Sequence, residues 1–266
     1  MLTLLALAVV VVLVVYGWSS LILNREYEAE ERHVLLSSRP DVLVRGERLS
    51  QVFGCYRGCH GPELEGSVFV DEWAIGRIVA PNLTHAVRNR STTELEAIIR
   101  QGVYPEGRSA FGMPSGGFAV MTDRDLSAVL SFIKQQPEKE SDLGHSHFGP
   151  LARLGLVLGE YQPSAIEVQQ APWTDVKEDN PFEHGKYIAL NACSECHGLE
   201  FEGAEGFTPP LSIAKGYSIE EFTLLMSEGI GLGGRDLGLM SKMGQNRFSQ
   251  MTPVEVEALY AFLQAF

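Results

Sequence analysis

The chain has four cysteines and places them in two short runs, Cys55-Tyr56-Arg57-Gly58-Cys59-His60 and Cys193-Ser194-Glu195-Cys196-His197. In each run a histidine follows the second cysteine directly. A Cys-x-x-Cys-His run is the pattern through which c-type haem is attached: two thioethers hold the porphyrin edge and the imidazole ligates the iron. On a helix, cysteines at i and i+3 share a face. So do cysteines at i and i+4, which lets the longer upstream run keep the same geometry. Four thiols also allow one tetrahedral zinc site or two disulfides. Neither of these requires a histidine after each second cysteine, nor a methionine at a fixed distance beyond it. A chain that must wrap two planar groups has few folds open to it.

The surroundings of the two runs repeat as well. Segments 46–136 and 183–266 each open with a short helix, containing Gly46-Glu47-Arg48 or Gly185-Lys186-Tyr187. Each then passes through its cysteines into His60-Gly61-Pro62-Glu63-Leu64-Glu65-Gly66 or His197-Gly198-Leu199-Glu200-Phe201-Glu202-Gly203. Ser91 and Ser218 precede Glu94 and Glu221 by three residues, a capping box that starts a middle helix. Gly102 and Gly229 close those helices. Arg108 and Arg235 follow at equal distance, then Met113 and Met240. Thr122 with Asp125, and Thr252 with Pro253 and Glu255, start a last helix. Its apolar face is Leu126, Val129, Leu130 and Ile133 in one copy and Val254, Leu259, Phe262 and Leu263 in the other. No strand pattern is read in either segment, so the expected fold class is all-α. Each segment is under ~100 residues, small for a self-sufficient apolar core, and a bound porphyrin completes it.

With these residues in view, both segments resemble the class I cytochrome c domain, and the tandem resembles the diheme cytochrome c family. The likeness is to cytochrome subunits that partner membrane-bound dehydrogenases and respiratory complexes. Ala80-Pro81-Asn82-Leu83-Thr84, Gly107-Arg108 and Met113-Pro114 carry it in the first copy. Thr208-Pro209-Pro210-Leu211, Gly234-Arg235-Asp236, Leu239-Met240 and Leu259-Tyr260-Ala261-Phe262-Leu263 carry it in the second. The resemblance implies two covalently bound haem c groups, on Cys55 and Cys59 and on Cys193 and Cys196, with His60 and His197 as proximal iron ligands. It also implies a prolyl carbonyl orienting each histidine, from Pro81 in one copy and Pro209 or Pro210 in the other. A methionine is the usual sixth ligand for electron transfer, because thioether sulfur stabilises ferrous iron. Met113 fits that role on a loop before a proline. In the second copy Met240 is in step with the serine, glycine and arginine landmarks, while Met243 is in step with the last helix; Met240 is preferred. Met121, Met226 and Met251 read as packing residues. Arg108 and Arg235 suit haem propionates, since guanidinium matches carboxylate geometry.

The remaining stretches set the context. Leu2 to Ile22 carries no charge, and about 20 apolar residues cross a hydrocarbon core, so residues 1–24 read as a transmembrane anchor. Tyr16 and Trp18 lie near its outer end. No basic region precedes the span and no A-x-A site follows it, which argues against a cleaved signal peptide. Residues 25–45 read as a helical stalk leading into a loop at Ser37-Ser38-Arg39-Pro40, with a solvated glutamate face. Residues 137–182 read as a linker whose apolar patch, Leu151 to Leu158, packs between the domains. Trp173-Thr174-Asp175-Val176-Lys177-Glu178-Asp179 leads into the second copy. A net charge of −13 argues against nucleic acid. Covalent haem implies assembly outside the cytoplasm, so the expected place is the inner membrane, single-pass, with haem domains in the periplasm. The expected function is relay of single electrons between redox proteins, other subunits of a membrane complex among them, with no substrate transformed. Two other classes stay open. A diheme peroxidase needs one iron with an open position, and a haem-based ligand sensor binds carbon monoxide when reduced.

Overall fold

Residues without a charge begin the chain as one helix, α1 (Leu2–Leu23), in the computed structural model of the protein, which describes residues 2–173, 176 and 180–266. Almost all of its side chains are exposed, leaving an apolar cylinder with little protein around it. It is the one helix among the described residues long and apolar enough to cross a membrane. Residues 25–39 correct the stalk expectation, for they run extended along the first segment. Tyr27 N–H donates to Gly107 O at 2.7 Å, Glu30 N–H to Gln101 Oε1 at 2.8 Å and Ser37 N–H to Ser131 Oγ at 2.9 Å. Tyr27 and Val34 are buried there. Glu26 and Glu30, and Glu28 and Glu31, would repel one another across a helical turn. Pro40 holds Arg39 extended besides.

The first segment then folds as α2 (Pro40–Val52), a hairpin of β1 (Ser67–Glu72) and β2 (Gly76–Ala80), α3 (Leu83–Asn89), α4 (Thr92–Glu96), α5 (Ser115–Phe118) and α6 (Asp123–Gln135). The middle helix α4 runs on through a π turn, Ala97–Gln101, to Gly102 at φ 68°. The hairpin corrects the strand-free expectation. Val68, Phe69, Val70, Ile78 and Val79 favour a pleated surface, and Gly76 takes φ 105° where the ribbon reverses. The linker adds β3 (His147–Phe148), paired with β2, then α7 (Pro150–Leu158) and α8 (Ser164–Gln170). The second segment comprises α9 (Pro181–Ala192), α10 (Ser194–His197), a 3-10 turn at Leu211–Gly216 and α11 (Ile219–Glu228). A short ribbon of β4 (Ile230–Gly231) and β5 (Arg235–Asp236), α12 (Leu239–Asn246) and α13 (Pro253–Ala265) complete it. The chain is thus mostly helical. Of the approach to the second segment, residues 174, 175 and 177–179 lie outside the described residues.

Capping boxes are closed at Ser91–Glu94, Ser218–Glu221 and Thr252–Glu255, and the Thr122 side chain accepts from Asp125 N–H. Opening and closing helices cross at a glycine in both segments. A Cβ on Gly46 would meet Ala128 O at 2.0 Å and Phe132 Cβ at 2.9 Å. On Gly185 it would meet Ala258 O at 2.0 Å and Phe262 Cβ at 2.7 Å.

One continuous core joins the segments, with Leu49, Phe53, Leu126 and Leu130 from the first and Tyr187, Leu190, Leu259 and Phe262 from the second. Polar contacts pin the same seam. Arg48 pairs with Glu255 at 2.6 Å, and Tyr187 OH donates to the buried Asp125 at 2.9 Å, which Arg45 pairs from the other side. The patch at Leu151 to Leu158 was expected between the segments; as α7 it packs instead against α1. Arg153 of α7 donates to the hydroxyls of Ser19 and Ser20 at 2.9 and 3.1 Å.

Candidate functional site

Tight backbone turns place the two histidines, and they do so alike. Gly198 (φ 80°) lets the chain leave α10, and Gly203 N–H returns to His197 O at 2.8 Å. Upstream, Gly61 (φ 83°) and the Gly66 N–H to His60 O bond of 2.8 Å make the same loop. Phe201 (φ 61°) and Leu64 (φ 67°) both occupy the left-handed region that side chains rarely adopt. Each is buried, and each gives its carbonyl to an N–H beyond the loop, from Leu211 at 2.9 Å or Leu83 at 2.8 Å. A hydroxyl closes each loop: Thr208 Oγ1 donates to Cys196 O and Ser67 Oγ to Cys59 O, both at 2.5 Å.

His197 Nδ1 lies 2.8 Å from Pro209 O, and His60 Nδ1 lies 2.8 Å from Pro81 O. A carbonyl oxygen only accepts, so each Nδ1 carries the proton and each Nε2 keeps its lone pair. Pro210 is not the histidine's partner; it leads into the 3-10 turn. Burial holds both imidazoles below the usual histidine range, against the pull of the prolyl carbonyls, which keeps them neutral and able to ligate. The four cysteines are unpaired. Burial pushes the Cys55 thiol up to about 11 and those of Cys59 and Cys193 up to about 12, and Cys196 moves the same way. None is poised as a reactive thiolate. Among the described residues no group of three or more His, Cys, Asp or Glu side chains is arranged to hold a metal ion.

The two runs differ in backbone. Cys193 to His197 is a helical turn, with His197 N–H donating to Cys193 O at 3.0 Å. Cys55 to Cys59 is not helical, contrary to the i, i+4 reading. Its extra residue is absorbed by Gly54 (φ 81°) and Arg57 (φ 53°), and Cys59 N–H reaches back to Gly54 O at 2.7 Å.

A cavity of about 400 Å³ opens in front of Cys193, Cys196 and His197. Leu211, Tyr217, Phe222 and Leu225 make its walls apolar, and Met240 and Met243 face it from α12. That combination fits a porphyrin: an apolar slot of ligand size, two thiols at one edge, and an imidazole whose free nitrogen carries its lone pair. Residues 182–266 match the family model for cytochrome c. This stretch is a cytochrome c domain. A search of curated proteins found no match to the chain.

Within the cytochrome c domain the methionine loop expected around Met240 is the helix α12. Met243 Sδ accepts from Arg247 Nη1 at 3.7 Å. Arg235 reaches the cavity edge and is otherwise exposed, its Nε donating to Leu232 O at 2.9 Å. Met121, Met226 and Met251 are buried, and Met226 of α11 also lines the cavity wall. Met113 lines a different cleft, of about 760 Å³, shared with Glu167 and with Ser194, Glu195 and Cys196 of the cytochrome c domain. Its carbonyl is held by Ser164 Oγ at 2.8 Å, so α8 fixes the Met113 loop. Arg108, exposed, lies with Pro81 and Tyr104 along a third cleft, of about 920 Å³, bounded by the end of α1.

Sequence reasoning missed the group that joins the two cysteine runs. Arg247 is 3% exposed, and its guanidinium donates to Val52 O, at 3.2 Å from Nη2, and to Glu195 Oε2 at 3.1 Å. Glu195 lies inside the second run, and its other oxygen accepts from Cys59 Sγ of the first at 3.3 Å. A Cβ on Gly54 would strike Arg247 Cζ at 2.8 Å, so that glycine makes room for the arginine. Nothing local marks Arg247; the only signal is an acid between two cysteines that needs a cation once buried.

Proposed function

We propose that the chain is a membrane-anchored diheme c-type cytochrome that relays single electrons between redox proteins, with α1 as its anchor and segments 46–136 and 183–266 as its two haem domains. The single observation that carries it is the loop around His60. It repeats, bond for bond, the loop around His197 in the cytochrome c domain, down to a 2.8 Å imidazole–prolyl contact in each. Each haem supplies a one-electron iron couple when bound. The protein's part is to hold and insulate. Cys55 and Cys59, and Cys193 and Cys196, fix the porphyrin edges. Pro81 and Pro209 keep Nδ1 protonated, so that His60 and His197 offer Nε2. Met240 would offer its sulfur to the iron rather than Met243, which Arg247 engages; Met113, from its cleft beside Glu195 and Cys196, would offer the second. Arg235, at the cavity edge, would suit a propionate, and Arg108 would take the same role in the first domain.

A methionine sulfur on each iron would favour relay over peroxidase or sensor chemistry, both of which need an open position. Glu195, between Cys193 and Cys196, has a carboxylate oxygen 3.3 Å from Cys59 Sγ, so the two attachment sites are neighbours, as a relay from one haem to the other requires. The net charge of −13 suits a basic docking partner, with an association that weakens as salt rises. Covalent haem and the anchor together favour an inner-membrane protein whose haem domains face the periplasm, held beside other subunits of an electron-transfer complex. Intact-mass spectrometry of the protein made with a haem-attachment system tests the central claim. The expected mass is that of the polypeptide plus two haems. A single haem would remove the first domain's role, and none would remove the whole reading.

A further inference from the structure

Helix α7 presents an apolar face that the described residues leave largely uncovered. Ala152 and Leu156 turn inward, whereas Leu151, Leu154 and Leu158, at i, i+3 and i+7, are 59%, 36% and 65% exposed. A helix apolar all round belongs in a core or against lipid. Beside its first turn stands Trp73, 87% exposed at the tip of the β1–β2 hairpin. The two are tied together: Leu151 N–H donates to Ala74 O and Gly149 N–H to Ile75 O, both at 2.8 Å.

The position of α7 says what covers this face. It packs directly on α1, and Arg153 fixes the level of contact, with its guanidinium 4.9 Å from the Tyr16 ring centroid and bonded to Ser19 and Ser20. At 1.5 Å per residue the 22 residues of α1 reach about 33 Å, slightly more than a hydrocarbon core of about 30 Å. Ser19 and Ser20 therefore lie close to the outer boundary, with the Tyr16 ring about a turn below them, in the zone aromatic rings prefer. The exposed leucines continue the lipid-facing surface of α1 sideways. The one charge on α7, Arg153, is at headgroup level, and of the two acids at the hairpin tip Asp71 is paired with Arg77 while Glu72, next to Trp73, is exposed to the polar side of the interface.

We propose that α7 and Trp73 lie in the interface of the membrane that α1 crosses, as a second lipid contact fixing the tilt of the haem domains above the bilayer. This rests on the anchor reading of α1. The full chain is reconstituted in nanodiscs of phosphatidylcholine and phosphatidylglycerol doped with a phosphatidylcholine carrying a diazirine on its acyl chain; after illumination, lipid-labelled peptides are mapped. Label is expected on the peptides of α1, of α7 and of Trp73, with none on α13 of the cytochrome c domain. In the L151S/L154S/L158S variant, whose changes are on an exposed face, label should leave α7 and persist on α1. Label confined to α1 overturns the proposal while leaving the anchor intact. Label absent from α1 as well overturns the anchor reading, and this proposal with it. Crosslinking of α7 to a co-purified polypeptide in place of lipid would also overturn it.

Discussion

Arg247→Leu is the perturbation that asks most of the structure. The substitution removes the cation from a side chain that is 3% exposed and leaves Val52 O without its guanidinium donors, at 3.2 and 3.4 Å. It also strands Glu195, itself only 24% exposed, beside Cys59. Removing one member of a buried pair costs about 3–5 kcal/mol, and an orphaned carbonyl about 1–3 kcal/mol. Because Glu195 keeps some contact with water, a total of about 3–4 kcal/mol is expected, a large part of the roughly 5–15 kcal/mol that holds a folded chain. Glu195→Gln alone leaves the arginine charged and buried but still bonded to Val52 O, at about 2 kcal/mol. The double variant carries no stranded charge. It should therefore cost less than the two singles together, by about 2 kcal/mol of coupling. Urea unfolding of the haem-loaded proteins, followed by far-ultraviolet dichroism and haem absorbance, measures all three. An Arg247→Leu cost below about 1 kcal/mol, or strict additivity across the cycle, would refute the claim that this pair bridges the two cysteine runs.

Three further outcomes are expected. Alanine normally stabilises a helix interior over glycine by about 1 kcal/mol, yet Gly46→Ala and Gly185→Ala should each destabilise by about 2 kcal/mol, because the new methyl lands 2.0 Å from a facing carbonyl oxygen; a rise in the unfolding midpoint of either would contradict the helix crossing. Met240→Ala should abolish one methionine-to-ferric charge-transfer band while Met243→Ala leaves both, and the reverse pattern would exchange their roles. Burial pushes Glu167 up to about 7 from an ordinary 4.5, so the folded state holds its proton more tightly than the unfolded one. Stability should therefore fall as pH rises from about 4.5 to about 7, by at most about 3 kcal/mol and less where water reaches the carboxylate, and Glu167→Gln should flatten that slope; parallel pH curves for the two proteins would refute it.

Much of the architecture could be read from neighbouring residues because the signals are local. A serine with a glutamate three residues on satisfies the same orphan N–H groups wherever it occurs, so the capped helices were legible without knowing their neighbours. Gly102 and Gly229 close their helices in the left-handed conformation for the same reason. The hairpin was legible too, but the repeat obscured it. Gly66 to Pro81 is nine residues longer than Gly203 to Pro209, and reading the segments as equivalent hid what the extra length does. Its valines, isoleucine and turn glycine form the ribbon whose tip stands beside α7.

What could not be read depends on partners far along the chain. Residues 25–39 carry no signal for an extended course, since their backbone groups are satisfied by Gly107, Gln101 and Ser131, seventy or more residues away. The apolar run in the linker looked like interdomain packing because burial alone does not name a neighbour. The seam between the segments was already filled by Phe53, Phe118 and Tyr187, which left α7 to α1. Glu195 and Arg247 show the same limit at the site itself. Each is an ordinary surface residue until the two cysteine runs are brought face to face, and only then does one charge require the other. The local code therefore specifies two nearly equivalent cysteine–histidine loops, and the tertiary contacts specify how they differ. The second loop is backed by its own helical turn, whereas the first is shaped around an arginine that the second segment supplies.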